Sequence, residues 1–420
     1  MHRVIITGIG AVTPLGNTFA DSWDTLLEGR SGIGTITRFD ISEMPWKVAG
    51  EIKGFQTETF FTHKEQKRLD PFAQYASAAA IMASDDAGLT PDPENRDIEA
   101  ESYLQSGGVI IGSSRGGISM IEQALLKSFL PFNKDQGITR RRQSPYLMPA
   151  TTISMAASYA AQKLGIQGYC LGISNACTSG TNAIGEAYRL IRSGYPGPVL
   201  AGGAEAPVCR LCIEGYGRSG TLSRNSTSAA SRPFDRFRDG FVLAEGACVL
   251  AIENLDSALK RGARIYGEII GYSNMVDAFH QTQPDAHGEA RTMMKAIMDA
   301  GLAPDGLDHL NTHGTGTGMG DQTEATAIRM VFGERAETSL FCSATKSLTG
   351  HMIAASGAFE TACTAMTLKE GIIPPTMQEE RDSACNINII TEHIRAEVRT
   401  ALTASFGFGG VNAVLVLKKN

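Results

Sequence analysis

Aromatic side chains are scarce in this sequence. Phe, Tyr and Trp make up 7% of its 420 residues, too few for a protein organised around stacked bases. An excess of positive charge is also missing. The formal net charge is −6, which excludes general affinity for nucleic acid, where phosphate neutralisation drives binding. No stretch approaches the ~20 uninterrupted apolar residues that cross a bilayer, so no membrane span is expected. The start of the chain carries no secretory signal, and its eight cysteines stand mostly alone in apolar stretches. Free thiols in a reducing cytoplasm are the expectation. Cys209 and Cys212 form one CxxC, but no second pair completes a zinc site, and the pair reads as structural.

Glycine is plentiful, at 46 residues, often beside other small residues, which points to tight turns and close backbone approach. The length exceeds one ordinary core. Short apolar runs at 4–7, 109–111, 199–201 and 248–252 read as buried strands, the first followed by a Gly-rich turn. Helical patterns at 72–87 and 184–191 lie between them. Alternation of this kind gives an α/β architecture with largely buried sheets. The Lys/Arg-bearing stretch at 260–264 marks a seam, and a second α/β series follows it, ending in a strand at 413–417. The chain divides into halves 1–255 and 256–420.

Two Gly-rich pieces raise nucleotide binding, and neither carries it. Gly8-Ile9-Gly10 follows a strand, but Thr13 stands where a dinucleotide fingerprint needs glycine, and Pro14 follows. The loop from Gly112 through Ser113, Ser114 and Arg115 to Gly117 lacks the Lys-Ser/Thr ending of a phosphate loop.

The most informative segment runs from Ser174 through Cys177 to Ala183. It leads into Ile184, Ala187, Leu190 and Ile191, whose spacing marks an amphipathic helix. A thiol at a helix N-terminus meets partial positive charge that favours thiolate, and the unpaired N–H groups there bind an oxyanion. On its own the segment leaves a nucleophile and a buried structural cysteine both standing. The second half supplies partners. Asn311-Thr312-His313-Gly314-Thr315-Gly316-Thr317 reads as a strand end entering a loop, and Lys346 through His351 precede a helical run of small residues. His351 near a helix start is disfavoured as imidazolium, and a neutral imidazole suits a developing enolate or thioester oxygen.

Together these motifs resemble the β-ketoacyl-acyl carrier protein synthases of the type II elongating kind. The likeness covers essentially the whole chain, including 4–10, 64–66, 201–205, 232–235 and 405–410, and rests above all on the ordered set Cys177, His313-Gly-Thr-Gly-Thr, and Lys346 through His351. It implies a thiolase fold, two similar α/β halves stacked as five layers α-β-α-β-α, usually homodimeric. It also implies an acyl group held on Cys177, malonyl decarboxylation promoted by His313 and His351, and Lys346 supporting the histidines. Backbone N–H groups of Cys177 and Phe408 would form the oxyanion hole, with the Phe408 ring as gate. Asp321 and Glu324 match acidic positions of the site network, although an exposed acidic helix start is the other reading. Neither cofactor nor metal is needed by that chemistry.

The likeness places Arg115 and Tyr216 at the acyl pocket. The family usually carries an aliphatic residue at Arg115, and a guanidinium is costly to bury unpaired; Arg115 therefore points away, or the pocket is short or polar. Gly220 stands where the family often has Arg, and Gly316 where it more often has Ser. Lys64, Lys67, Arg68, Arg141 and Arg142 match or extend a basic face for docking an acidic acyl carrier protein; a solvated face is the other reading. The pathway stays open between fatty acid and specialised polyketide or polyene synthesis, with a partner subunit setting chain length as the further alternative.

Overall fold

Ten strands pair in an order that repeats. They are β1 (Val4–Val12), β2 (Gly108–Gly112), β3 (Cys170–Ile173), β4 (Val199–Glu205), β5 (Gly246–Asn254), β6 (Gly267–Val276), β7 (His309–Asn311), β8 (Phe341–Ser343), β9 (Thr400–Gly407) and β10 (Val411–Lys418). The computed structural model describes residues 1–90, 98–129 and 143–420. In space the strands run β3-β2-β4-β5-β1, then β6-β10-β9-β7-β8. Outward from the centre, each half reads first strand, fifth, fourth, second, third. In each half the inner pairings are antiparallel and the outer ones parallel. The halves share this topology without a visible sequence repeat, because topology needs only matching apolar runs. A short ladder between Val4–Ile6 and Gly267–Ile269 joins them.

Helices α1 (Pro71–Asp86), α2 (Ser179–Arg192), α3 (Ala286–Asp299), α4 (Gly318–Phe332) and α5 (Ala354–Glu370) build the layers. α1 covers one half-sheet, and α3, backed by α4, covers the other. α2 and α5 lie between the two, touching strands of both. The result is the α-β-α-β-α stack of the thiolase fold. α5 is buried from Ala354 to Leu368 and is made largely of Ala, Ser, Gly and Thr. A helix buried on every side cannot be amphipathic, and small residues let both sheets close on it.

The expected Gly-rich turn after residue 7 is instead strand. β1 continues through Gly8 and Gly10, where a Cβ would stand 2.2 Å and 2.1 Å from carbonyls of Ala83 and Ala79 in α1. These glycines bring helix onto sheet rather than reversing the chain. Among the described residues, no helix is long and apolar enough to cross a membrane.

Candidate active site

Cys177 sits on the turn between β3 and α2. Thr178 donates its hydroxyl to the Asn175 carbonyl at 2.7 Å, and the Asn175 N–H donates to Ser179 Oγ at 2.8 Å. Ala176, just before the cysteine, holds φ at 49°. Left-handed backbone in a non-glycine residue costs of order 1–3 kcal/mol and persists where surroundings over-determine it. The same strain recurs across the cavity at Ile353, also at φ 49°, where a β-branched side chain makes it a true outlier. Ile353 directly precedes α5, so both helices that point at the site are entered through a strained residue.

His351 is clamped by its own backbone: its N–H donates to the Val242 carbonyl at 2.7 Å, and its carbonyl accepts from Ala244 at 2.9 Å. Its Nε2 lies 3.2 Å from Cys177 Sγ, and its Nδ1 lies 3.1 Å from Ser356 Oγ. A hydroxyl can donate or accept, so Ser356 supports either neutral tautomer of the ring. The His313 ring stands edge-on to it, centroids 5.4 Å apart. Sγ and a nitrogen of each ring lie within 4.8 Å of one another, close enough to converge on a single carbonyl or enolate oxygen. The same set of sulfur and two nitrogens would suit a thiophilic divalent ion.

Buried charge holds the His313 loop. Glu324 accepts the N–H groups of His313 and Gly314 at 2.6 and 2.7 Å. Asp321 accepts those of Thr315 and Gly316, both at 3.1 Å, and that of Phe234 at 2.7 Å. Both carboxylates are buried, so the reading of an exposed acidic helix start does not hold. Lys346, also buried, donates to the His313 carbonyl and pairs with Glu360. Gly316 adopts φ +82°, a conformation in which glycine is unstrained.

Electrostatics follow from enclosure. Burial, reinforced by the Lys346 charge, holds both histidines well below their usual value; they are neutral at pH 7. Burial pushes the Cys177 thiol up to about 11, against the opposing pull of Lys346 and the Phe408 N–H. The thiol is thus raised where the helix start alone favours thiolate, because burial penalises the charged sulfur. Burial likewise raises Asp321 to about 6 and Glu324 to about 8, each opposed by the N–H groups it accepts.

These groups face a cavity of about 490 Å³ whose lining includes Cys177, His313, His351, Tyr216, Phe241, Ile353 and Phe408. Phe408 is 37% exposed. A Cβ on Gly407 would lie 3.3 Å from the Cys177 nitrogen, so the turn bearing Phe408 packs directly against the cysteine backbone. Asp277 ties that turn down, accepting from Asn412 and donating its N–H to Gly410.

The remaining expected residues lie apart. Arg115 is exposed and outside the cavity lining; its Nε and Nη2 donate to Tyr216 Oη at 3.3 and 3.2 Å. Its contact with the cavity wall is therefore made through Tyr216. The backbone N–H groups of Ser114 and Arg115 are taken by buried Glu205, leaving no anion cradle in that loop. Lys64 and Lys67 are exposed, and Arg68 stacks over Tyr146 at 4.1 Å. Arg141 and Arg142 lie outside the described residues. Cys209 and Cys212 are buried and free, in the apolar cluster that includes Ile353 and Tyr216. Sequence reading missed Ser356 and Glu360; their signal was a polar side chain within an otherwise small and apolar helical run.

Comparison with known proteins adds a family match, one relative and two solved structures. Residues 1–258 match the family model described as beta-ketoacyl synthase, N-terminal domain, and residues 266–380 the corresponding C-terminal domain. The 3-oxoacyl-[acyl-carrier-protein] synthase 2 of Synechocystis sp. is 41% identical over 425 residues, covering 99% of this chain and 98% of that one. The ishigamide ketosynthase/chain length factor superposes with a TM-score of 0.90 at 33% identity, covering 100% and 99% of the two chains. A type II PKS acyl-carrier protein in complex with its ketosynthase bound to the hexaketide gives 0.87 at 29% identity, covering 100% of both.

Proposed function

The chain belongs to the beta-ketoacyl synthase family, and we propose that it condenses a Cys177-bound acyl group with malonyl-acyl carrier protein to give a 3-oxoacyl-carrier product. The observation that carries this reading is the 3.2 Å approach of His351 Nε2 to Cys177 Sγ, with the neutral His313 ring beside them.

In the first half-reaction the Cys177 sulfur attacks the acyl carrier thioester. A new S–C bond forms, the carrier's C–S bond breaks, and the thiol proton crosses through His351 to the departing carrier thiol. A thiol whose proton is held to about pH 11 requires such an acceptor at hydrogen-bond distance. Lys346 and burial keep the imidazole from retaining that proton. In the second, the malonyl thioester oxygen lies between His313 and His351. Carbon dioxide leaves, the resulting enolate carbon attacks the acyl carbonyl, and Cys177 departs. Neutral imidazoles stabilise the enolate without quenching it, and N–H groups of Cys177 and Phe408 receive the second oxyanion.

The partner is acyl carrier protein, met by the basic side chains at Lys64, Lys67 and Arg68. A cytoplasmic homodimer fits the outer edge of β3, which is only partly buried. The polyketide structures among the likenesses favour a second reading, a specialised polyketide or polyene ketosynthase, over a non-catalytic chain-length subunit, since Cys177 is present. The test is intact mass after incubation with acyl carrier: wild type gains one acyl group and Cys177→Ala gains none. An unchanged adduct in that variant removes the assignment.

A further inference from the structure

On the His313 side of the cavity stands a carboxyl group that the steps above do not use. Glu289, in the first turn of α3, is 1% exposed and lines the same cavity as Cys177, His313 and His351. Its Oε2 is buried without any hydrogen-bond partner. An unpartnered buried carboxyl is destabilising, and such a cost is carried where a ligand completes the group. Its surroundings set its form. Glu324, Asp277, Asp285 and Asp321 all act on it, and burial with their negative charge holds Glu289 well above the usual carboxylate range. That shift favours the protonated form, in which the group is a donor as well as an acceptor.

The largest charge acting on Glu289 is Glu324, which grips the His313 N–H, and α3 packs on α4, the helix that carries Glu324; Glu289 therefore belongs with the His313 side of the cavity. Resting on the function proposed above, the His313 side receives the malonyl unit, which brings a carboxylate into a cavity rich in acidic side chains. That carboxylate needs a neutral donor to be tolerated there.

We propose that Glu289 is a specificity-determining residue that recognises the malonyl unit by donating a hydrogen bond to its carboxylate. The contact is made on binding and held until the C–C bond has broken, so it contributes alike to the bound state and to the decarboxylation transition state, and it governs capture of the carboxylated unit and not the barrier.

The test is steady-state condensation with saturating acyl carrier and varied malonyl carrier, on wild type, Glu289→Ala and Glu289→Gln, with melting curves on all three. Glu289→Ala should raise KM for malonyl carrier by about tenfold, the size of one lost hydrogen bond to a charged group, with kcat within about twofold. Glu289→Gln keeps a neutral donor of the same shape and should stay within about threefold of the wild-type KM. Glu289→Ala should melt at or above wild type, because the unpartnered carboxyl is gone, and Glu289→Gln within a few degrees of wild type, because its buried amide is unpartnered in turn. Unchanged KM in the alanine variant, equal impairment of the glutamine variant, or a lowered melting temperature with no change in KM would each overturn the inference. Failure of wild type to release carbon dioxide from malonyl carrier would overturn the proposed function and this inference with it.

Discussion

Gly180 in α2 lies so close to Ala354 in α5 that a Cβ on the glycine would stand 2.3 Å from the Ala354 carbonyl oxygen. The contact is reciprocated: a Cβ on Gly357 of α5 would stand 2.0 Å from Thr181 Oγ1 of α2. Two helices, one from each half of the chain, thus meet at their first turns, and the segments leading into those turns carry Cys177 and His351. The glycines are what let a thiol and an imidazole 174 positions apart come within hydrogen-bond distance.

Gly180→Ala tests that crossing. In a helix this change ordinarily stabilises by up to about 1 kcal/mol. Here the obstacle is backbone, which cannot rotate away, and overpacking costs about 1–3 kcal/mol. The variant should melt lower than wild type. It should also lose acyl transfer to Cys177 by more than tenfold at temperatures where it is folded, since about 1 Å of misplacement is enough for such losses. A melting temperature raised above wild type would refute the packing argument.

Alkylation of Cys177 should climb with pH well beyond the ordinary thiol range. A thiol raised to about 11 leaves the neutral form dominant at pH 7, so thiolate increases with each pH unit until the value is passed. The iodoacetamide rate on the resting enzyme should still be rising at pH 9.5. A plateau near pH 8 would mean that the helix field outweighs burial after all.

That disagreement marks where sequence stops being informative. Cys177, His313, Lys346 and His351 were legible because each sits in a short motif of small residues, and their order along the chain specifies the family. The strand at 413–417 and the helix at 72–87 were legible from apolar runs and periodicity. Gly8 and Gly10 were misread as a turn because glycine signals permissive backbone and close approach equally, and only the partner helix decides between them. Asp321 and Glu324 matched acidic positions of the site network, but a solvated helix start stood beside that reading, because the four backbone N–H groups they accept from the adjoining loop, His313 through Gly316, are invisible to local pattern. Burial of the thiol is likewise a property of the assembled cavity.

Lys346→Met should separate structure from chemistry. It strands Glu360 without its buried partner, and breaking a buried pair costs about 3–5 kcal/mol. Adding Glu360→Leu should restore most of the melting temperature, because an apolar pair of similar volume is tolerated there. Activity should not return, since the His313 carbonyl has still lost its donor and both histidines have lost the charge that reinforces burial in holding them neutral. Recovery of condensation in the double variant would reduce Lys346 to a structural role.

His313→Ala and His351→Ala should divide by step. Removing one donor to a developing oxyanion costs roughly 3–4 kcal/mol, so both should lose malonyl decarboxylation by at least a hundredfold. Only His351 touches the Cys177 sulfur, so acyl transfer should survive in His313→Ala and suffer in His351→Ala. Carbon dioxide release at wild-type rates by both variants would remove them from the mechanism.

Arg115 bears on chain preference only through Tyr216. Its guanidinium is exposed and outside the cavity lining, yet it fixes the Tyr216 hydroxyl, and the Tyr216 ring is part of the wall. Arg115→Ile and Tyr216→Phe both delete that tether and should therefore shift acyl-chain preference in the same direction and to a similar extent. The two long hydrogen bonds share one hydroxyl oxygen and one exposed guanidinium, and together contribute about 0.5–1.5 kcal/mol, so the shift should not exceed about tenfold. Neither change creates a buried unpaired charge, and both variants should melt within a few degrees of wild type. Competition among acyl carriers of graded length reads the outcome. A strong shift towards longer chains in Arg115→Ile, absent from Tyr216→Phe, would mean that the guanidinium itself meets the acyl tail.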